Sequence, residues 1–437
     1  MSDVKEGAPP PLEAEPEALT EAAATRAELA VAPEIVAGSL GEYLRAWVAR
    51  IKAGESGVLP VIVGLIVIAV IFQSQNANFL TAGNLVNLLV QGAAITLLGL
   101  GEVFALLLGE IDLSIGFVAG VAGVIAAQLV AFPHNWPWWA AVGVAILVTA
   151  VIGLVQGTII TRLGLPSFVV TLAGLLGFQG VMLMMVGQGG TVPIASDVIN
   201  DFANGNMTVG AGWVVTALLI LGYAALTWWR DQRRRASGLV APPASLTLLK
   251  IAAVAVAGVA LVLICNANRG LLVPIQGVPW VVLIVLGVLA AWSVLLGRTR
   301  FGRYVYAIGG NAEATRRSGV NLARIRTAAF ILCSLTAGIA GIVYASRLRS
   351  VSTNLDGGTL VLYAVAAAVI GGTSLFGGRG KPLHAVLGGI VIAAIANGMG
   401  LLGMAAATQL IVTALVLLAA VTIDAVARRG RTPTGMH

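Results

Sequence analysis

Along most of this chain, apolar residues gather in repeated blocks of roughly 17 to 25, the length a helix needs to cross a hydrocarbon core about 30 Å thick. The blocks begin near Val58, Gly92, Ile115, Trp138, Ser167, Val209, Leu248, Val278, Thr327, Leu362, His384 and Thr408. They predict an all-α polytopic membrane protein with about twelve transmembrane helices, some of them broken or re-entrant, over residues 57–427. Ahead of the blocks the pattern changes twice. Residues 1–38 carry eight acidic side chains with Ala and Pro between them and read as a disordered acidic tail. Over 39–53, Leu40, Tyr43, Leu44, Trp47, Val48 and Ile51 recur at helical spacing opposite Arg45, Arg50 and Lys52, predicting an amphipathic helix lying on the lipid surface. A short basic tail, 428–437, ends the chain.

Two polar interruptions break the apolar pattern. Between Gly99 and Gly116 lie Glu102, Glu110 and Asp112, each costing roughly 3 kcal/mol if ionised near the midplane. Such groups serve a translocation path or, for Asp112, cap the following helix, with Ser114 and Gly116 shaping its start. The second runs from Ala364 to Leu383, where Gly371, Gly372, Thr373, Ser374, Gly377, Gly378 and Gly380 leave few large side chains. A backbone this bare at membrane depth is tolerated where it is buried in protein or lines a cavity, and it also packs helices tightly. Glu102, Glu110, Asp112, Ser114, Gly371, Gly372, Thr373 and Ser374 are therefore the candidate path residues.

A third region, 298–326, lies outside the apolar blocks and holds seven Arg. Within it Asn311 is placed to N-cap a short helix, Glu313 sits in the first turn, Arg316 and Arg317 in the last, and Gly319 follows the end. About two turns of helix are marginal alone in water, so capping this complete predicts a docked partner.

Composition agrees with a lipid solvent: mean hydropathy is +0.95, with 58% hydrophobic and only 10% charged residues. The net charge of +7 and pI near 9.8 come from Lys and Arg at span ends, so lipid rather than nucleic acid is the expected contact. With cytoplasmic termini, 21 Lys and Arg of the membrane region and its flanks fall inside and three, Arg269, Arg347 and Arg349, outside. Trp136, Trp138 and Trp139 at one corner, and Trp228 and Trp229 before a basic loop, fit aromatic belts. Cys265 and Cys333 have no metal or disulfide spacing and read as core filler. No Walker motif is present, because a phosphate loop ending at Lys381 needs Gly at position 375, which is Leu375, and Ser or Thr at 382, which is Pro382.

The blocks GEIDLSIGFVAGVAGVIAA (109–127), LGLPSFVVTLAGLLGFQG (163–180), TRFGRYVYAIGGNAEATRRSGVNLARIRTAAF (299–330) and AVIGGTSLFGGRG (368–380) resemble the signatures of bacterial monosaccharide ABC-importer permeases. The resemblance spans most of the chain. An added helix pair, about 209–265, resembles the xylose-type branch of the ribose, xylose and arabinose permeases. Val361 and Tyr363 depart from it, standing where many relatives carry Glu and Asp. The resemblance implies a permease of the bacterial inner membrane that works as a homodimer and imports xylose or a similar pentose. It implies an ATPase with duplicated nucleotide-binding domains and an extracytoplasmic sugar-binding protein as partners, and no cofactor. It also implies that the segment matching Asn311, Ala312, Glu313, Ala314, Arg316, Arg317 and Gly319 contacts the ATPase, so the chain itself is no enzyme. The rival is an ion-coupled secondary transporter using Glu102 and Glu110, against which stands the lack of an internal repeat between the halves. A membrane enzyme acting on lipid-linked sugars lacks chemistry, since His134, His384 and His437 have no catalytic or metal-ligand spacing.

Overall fold

A computed structural model describes residues 59–239, 241–270 and 272–429, together with Gly41, Glu42 and Arg45. The acidic tail over 1–38, all but three residues of the amphipathic helix over 39–53, and all but the start of the tail from 428 lie outside the described residues.

Among the described residues the regular elements are all helices, apart from two three-residue strands. Eight helices are long and apolar enough to span a membrane: α2 (Ala82–Leu107), α4 (Trp138–Leu163), α5 (Ser167–Val186), α7 (Val209–Ala236), α8 (Ala244–Asn266), α9 (Trp280–Arg298), α12 (Leu322–Leu348) and α14 (Pro382–Leu401). Four shorter apolar helices complete the twelve that the hydropathy pattern predicts: α1 (Leu59–Gln75), α3 (Ile115–Val130), α13 (Gly357–Ile370) and α15 (Ala406–Arg429), the last apolar over Ala406–Ala419. Between them lie strand β1 (Thr191–Pro193), the short helices α6 (Asp197–Asn204), α10 (Arg300–Gly310) and α11 (Ala312–Arg317), and strand β2 (Ser350–Ser352). The second span starts ten residues earlier than the apolar pattern indicates. Thr81 caps it by accepting from the Asn84 amide, and Asn84 is drawn into the first turn by a bond to Asn397 in α14.

Two compact units are present. The larger comprises the described residues of 59–215 and 260–429, and the other includes those of 216–259, the middle of the α7–α8 pair. Within that pair, the buried Asp231 accepts from Thr247 Oγ1 at 2.6 Å, tying the facing ends of the two helices, and the Arg233 guanidinium stands 4.4 Å over the Trp229 ring.

At the centre of the larger unit α12 packs against α2, α3 and α4. A Cβ placed on Gly341 would lie 1.9 Å from the Ala119 carbonyl oxygen, so this crossing admits no side chain. Close main-chain approach of this kind is how helices bind one another where lipid offers no hydrophobic drive. The buried core there joins Leu97, Phe104, Ile115, Ala337 and Ala364. Helices α3 and α13 have 16 and 14 residues, about 24 and 21 Å at 1.5 Å per residue, both shorter than a hydrocarbon core. Their ends therefore fall within the membrane thickness, where protein rather than lipid must surround them.

Candidate coupling surface and polar turns

Helix α10 begins at Thr299, whose Oγ1 accepts from the Gly302 amide at 3.2 Å and donates to the Leu295 carbonyl at 2.6 Å. Val305 and Ile308 form its buried face. Asn311 ends α10 and starts α11: its amide donates to the Ala307 carbonyl, and its Oδ1 accepts from Ala314 N at 2.9 Å. Gly319 follows α11 at φ +84°, a left-handed conformation that glycine adopts without cost. The capped helix read from the sequence is thus present.

Asn311, Ala312, Glu313, Ala314, Arg316, Arg317 and Gly319 are all exposed, and within this stretch only Thr315 is buried. Glu313 accepts from Arg316 Nε at 3.0 Å and Nη2 at 2.8 Å, and from Arg317 Nε at 3.2 Å. These bonds, Arg316's foremost, hold the Glu313 carboxyl below the ordinary glutamate value. The outcome is an exposed helix whose one carboxylate is paired with two arginines.

The first polar turn, 108–114, folds back over the end of α2. Fully buried Glu102 accepts from the Asp112 amide at 3.0 Å through Oε1 and faces Cys333 Sγ at 3.9 Å through Oε2. Asp112 Oδ1 accepts from Ser114 N at 2.9 Å and Ser114 Oγ at 2.6 Å, and Gln156 Nε2 in α4 donates to Ser114 Oγ at 2.9 Å. Asp112, three residues before the start of α3, thus braces the turn, and Ser114, in the N-cap position but making no side-chain cap bond, links it to α4. Gly116 is where the backbones meet, since a Cβ there would lie 2.0 Å from the Gly357 carbonyl oxygen. Glu110, also buried, pairs with Arg326 near the start of α12.

The second polar turn, 371–381, joins α13 to α14. Gly371 caps α13, Gly372 takes φ +108°, and Thr373 N donates to the Ala368 carbonyl at 2.9 Å. Thr373 and Ser374 are buried, and Ser374 N donates to the Arg379 carbonyl at 2.8 Å. The two turns approach at Gly109 and Gly377, where a Cβ on Gly377 would lie 2.9 Å from Gly109 N; the second turn is also bonded to the end of α2, Gly378 N donating to the Leu107 carbonyl at 2.9 Å, and to α10, Tyr306 OH donating to the Gly380 carbonyl at 2.8 Å. Of the candidate path residues, Glu102, Asp112 and Ser114 are bonded together in the first turn, whereas Gly371 and Gly372 pack against His384 at the start of α14. Val361, at the departure from the acidic pattern, is buried in the apolar core.

Sequence reading missed α10 itself, with Tyr306 and Gly309, and the partners Gln156, Arg326 and Cys333. Phe301, Val305 and Ile308 at helical spacing were the available signal for α10, but the flanking arginines give the segment the look of a loop. Among the described residues no group of three or more His, Cys, Asp and Glu side chains is arranged to hold a metal ion.

The sequence profile of the family described as "Branched-chain amino acid transport system / permease component" matches residues 84–421. The chain is 34% identical over 384 residues to the xylose transport system permease protein XylH of Escherichia coli K12, covering 87% of this chain and 94% of the relative. It is 34% identical to the protein of the same name from Haemophilus influenzae, covering 84% and 96% of the two chains. The ribose import permease protein RbsC of Escherichia coli K12 is 30% identical, with 87% and 95% covered. No solved structure matches.

Proposed function

Since the chain belongs to the family of transport-system permease components, we propose that it is the membrane permease of an ATP-binding-cassette importer that carries a monosaccharide, xylose or a similar pentose, into the cytoplasm. A sugar is favoured over a branched-chain amino acid because near-full-length relatives are named for xylose and ribose. The helix pair at 209–265 within the 57–427 permease domain favours the xylose branch. The face bearing α10 and α11 is cytoplasmic, and both termini lie on that side of the bacterial inner membrane. Two copies form the pathway, an extracytoplasmic binding protein delivers the sugar, and an ATPase with duplicated nucleotide-binding domains docks on Asn311, Ala312, Glu313, Ala314, Arg316, Arg317 and Gly319.

One observation carries this reading: a six-residue helix, fully capped and exposed on every residue but Thr315, projects beside the two polar turns. A helix this short gains little stability by itself. Its purpose is a rigid contact for a separate motor. Closure of the ATPase shifts α11, and the spans attached to the polar turns rock so that the path opens to one side and then the other.

The secondary-transport alternative loses ground because Glu110 is already paired with Arg326 and Glu102 already accepts a main-chain bond. Exchanging the charges in Glu313→Arg with Arg317→Glu keeps an i,i+4 pair on α11 but reverses what a partner meets. ATP-dependent sugar uptake is expected to be lost, with the binding protein's affinity for sugar unchanged. Normal uptake by this double variant refutes the docking assignment. Uptake on an ion gradient by vesicles holding this chain alone refutes the ATP-driven reading.

A further inference from the structure

Directly before α11, three separate stretches of backbone converge with almost no side chains between them. They are the end of α2 at Leu107–Gly109, the end of α10 at Gly309–Gly310, and the second polar turn at Phe376–Gly378. The Leu107 carbonyl, left without an intrahelical partner at the end of α2, accepts from Gly378 N at 2.9 Å. A Cβ on Gly309 would lie 1.8 Å from that same oxygen and 2.5 Å from Gly378 N. A Cβ on Gly377 would lie 2.9 Å from both Gly109 N and the Gly309 carbonyl oxygen. Gly310 differs: its Cβ position has nothing within 4 Å.

We infer that Gly309 is the positioning residue through which a displacement of α11 reaches both polar turns at once, with Tyr306 fixing the register of α10 against the second turn. The inference rests on the proposal that α11 docks an ATPase. Its physical basis is stiffness. Side-chain contacts yield by changing rotamer, whereas backbone pressed on backbone has no soft torsion to absorb a push. Gly309 is two residues from Asn311, so a tilt of α11 acts on the junction with hardly any intervening chain. From the junction, Leu107–Gly109 leads within three residues to Asp112, and Phe376–Gly378 lies two residues beyond Ser374. The Tyr306 bond to the Gly380 carbonyl ties α10 to the far side of the second turn.

The test uses the complete complex of this chain, its ATPase and its binding protein in proteoliposomes, reading sugar moved per ATP hydrolysed. Gly309→Ala is expected to leave assembly and ATP hydrolysis within twofold of wild type, while transport per ATP falls at least tenfold and the Gly378 amide exchanges with solvent at least tenfold faster. A general loss of helix stability does not predict this, because Ala is the better helix former. Tyr306→Phe is expected to lower the ratio a few-fold, and Gly310→Ala to leave it unchanged. An unchanged ratio in assembled Gly309→Ala complex overturns the inference, as does an equal loss in Gly310→Ala. If Gly309→Ala does not assemble, Tyr306→Phe decides, and wild-type coupling in that variant overturns it. Wild-type complex that moves sugar without ATP refutes the proposed function instead, so the two failures are distinguishable.

Discussion

The two ends of the larger unit are joined by different means. At the β1–β2 end side-chain amides supply links beside the main-chain pairing of the strands: Asn84 Nδ2 donates to Asn397 Oδ1 at 2.8 Å, Asn76 Nδ2 to the Leu401 carbonyl at 3.0 Å, and Asn204 Nδ2 to the Ser346 carbonyl at 2.6 Å. The two short strands pair antiparallel there, Val192 opposite Val351. At the α10 end glycine backbones meet directly at Gly109, Gly309 and Gly377, with the Glu110–Arg326 pair, the Tyr306 hydroxyl and the bonds of Glu102, Asp112, Ser114 and Gln156 beside them. Amide links can be removed one at a time with local effect. A glycine junction responds as a whole, which suits the end that receives force.

This contrast can be broken in three ways. The largest effect is expected from Arg326→Ala, which leaves the Glu110 carboxylate buried without its cation, at a cost of about 3 kcal/mol. Thermal unfolding in detergent should show it, and transport per ATP should fall with stability because the first polar turn loses its anchor. At the opposite end, Asn84→Leu strands the Asn397 amide at about 2 kcal/mol, and adding Asn397→Leu should recover most of the loss. There the expectation separates the two ends: stability falls but sugar moved per ATP does not. An equal drop in coupling from Asn84→Leu removes the contrast.

The smallest effect concerns pH. The Glu313 carboxyl titrates below its ordinary value in the folded protein, so its bonds to Arg316 and Arg317 add to the stability of α11 above that value. The contribution disappears as pH falls through the lowered value. The protection of α11 amides relative to their intrinsic exchange rates is therefore expected to be constant from pH 8 to about pH 5 and to fall only below the ordinary glutamate value of 4.5, and Glu313→Gln should remove that dependence. Fraying of α11 near neutral pH contradicts this.

Much of the architecture was legible because lipid imposes a length on each span, and eleven of the twelve starts fall within about five residues of where the apolar blocks begin. The exception, α2, opens with Asn84 and Asn87, polar residues that mark a loop when read locally; a distant bond to Asn397 is what draws Asn84 into the helix. The α11 caps were legible because capping is local chemistry within six residues. The glycine junction was not, since it is made by three segments more than 60 residues apart in sequence, and bare glycine carries no pattern to align them. Cys333 was read as filler for a similar reason: only α12 packing on α2 brings its sulfur to Glu102.

The bareness of the junction also divides what the protein can change from what it cannot. Ala312, Glu313, Arg316 and Arg317 face solvent and are open to replacement, so the outer surface of α11 behaves as an exchangeable plug for different motors. In the socket beneath, Gly309 and Gly377 offer no room for one additional methyl group. Grafting a foreign plug onto this chain should therefore succeed by surface substitution alone, provided the glycines under it are left as they are.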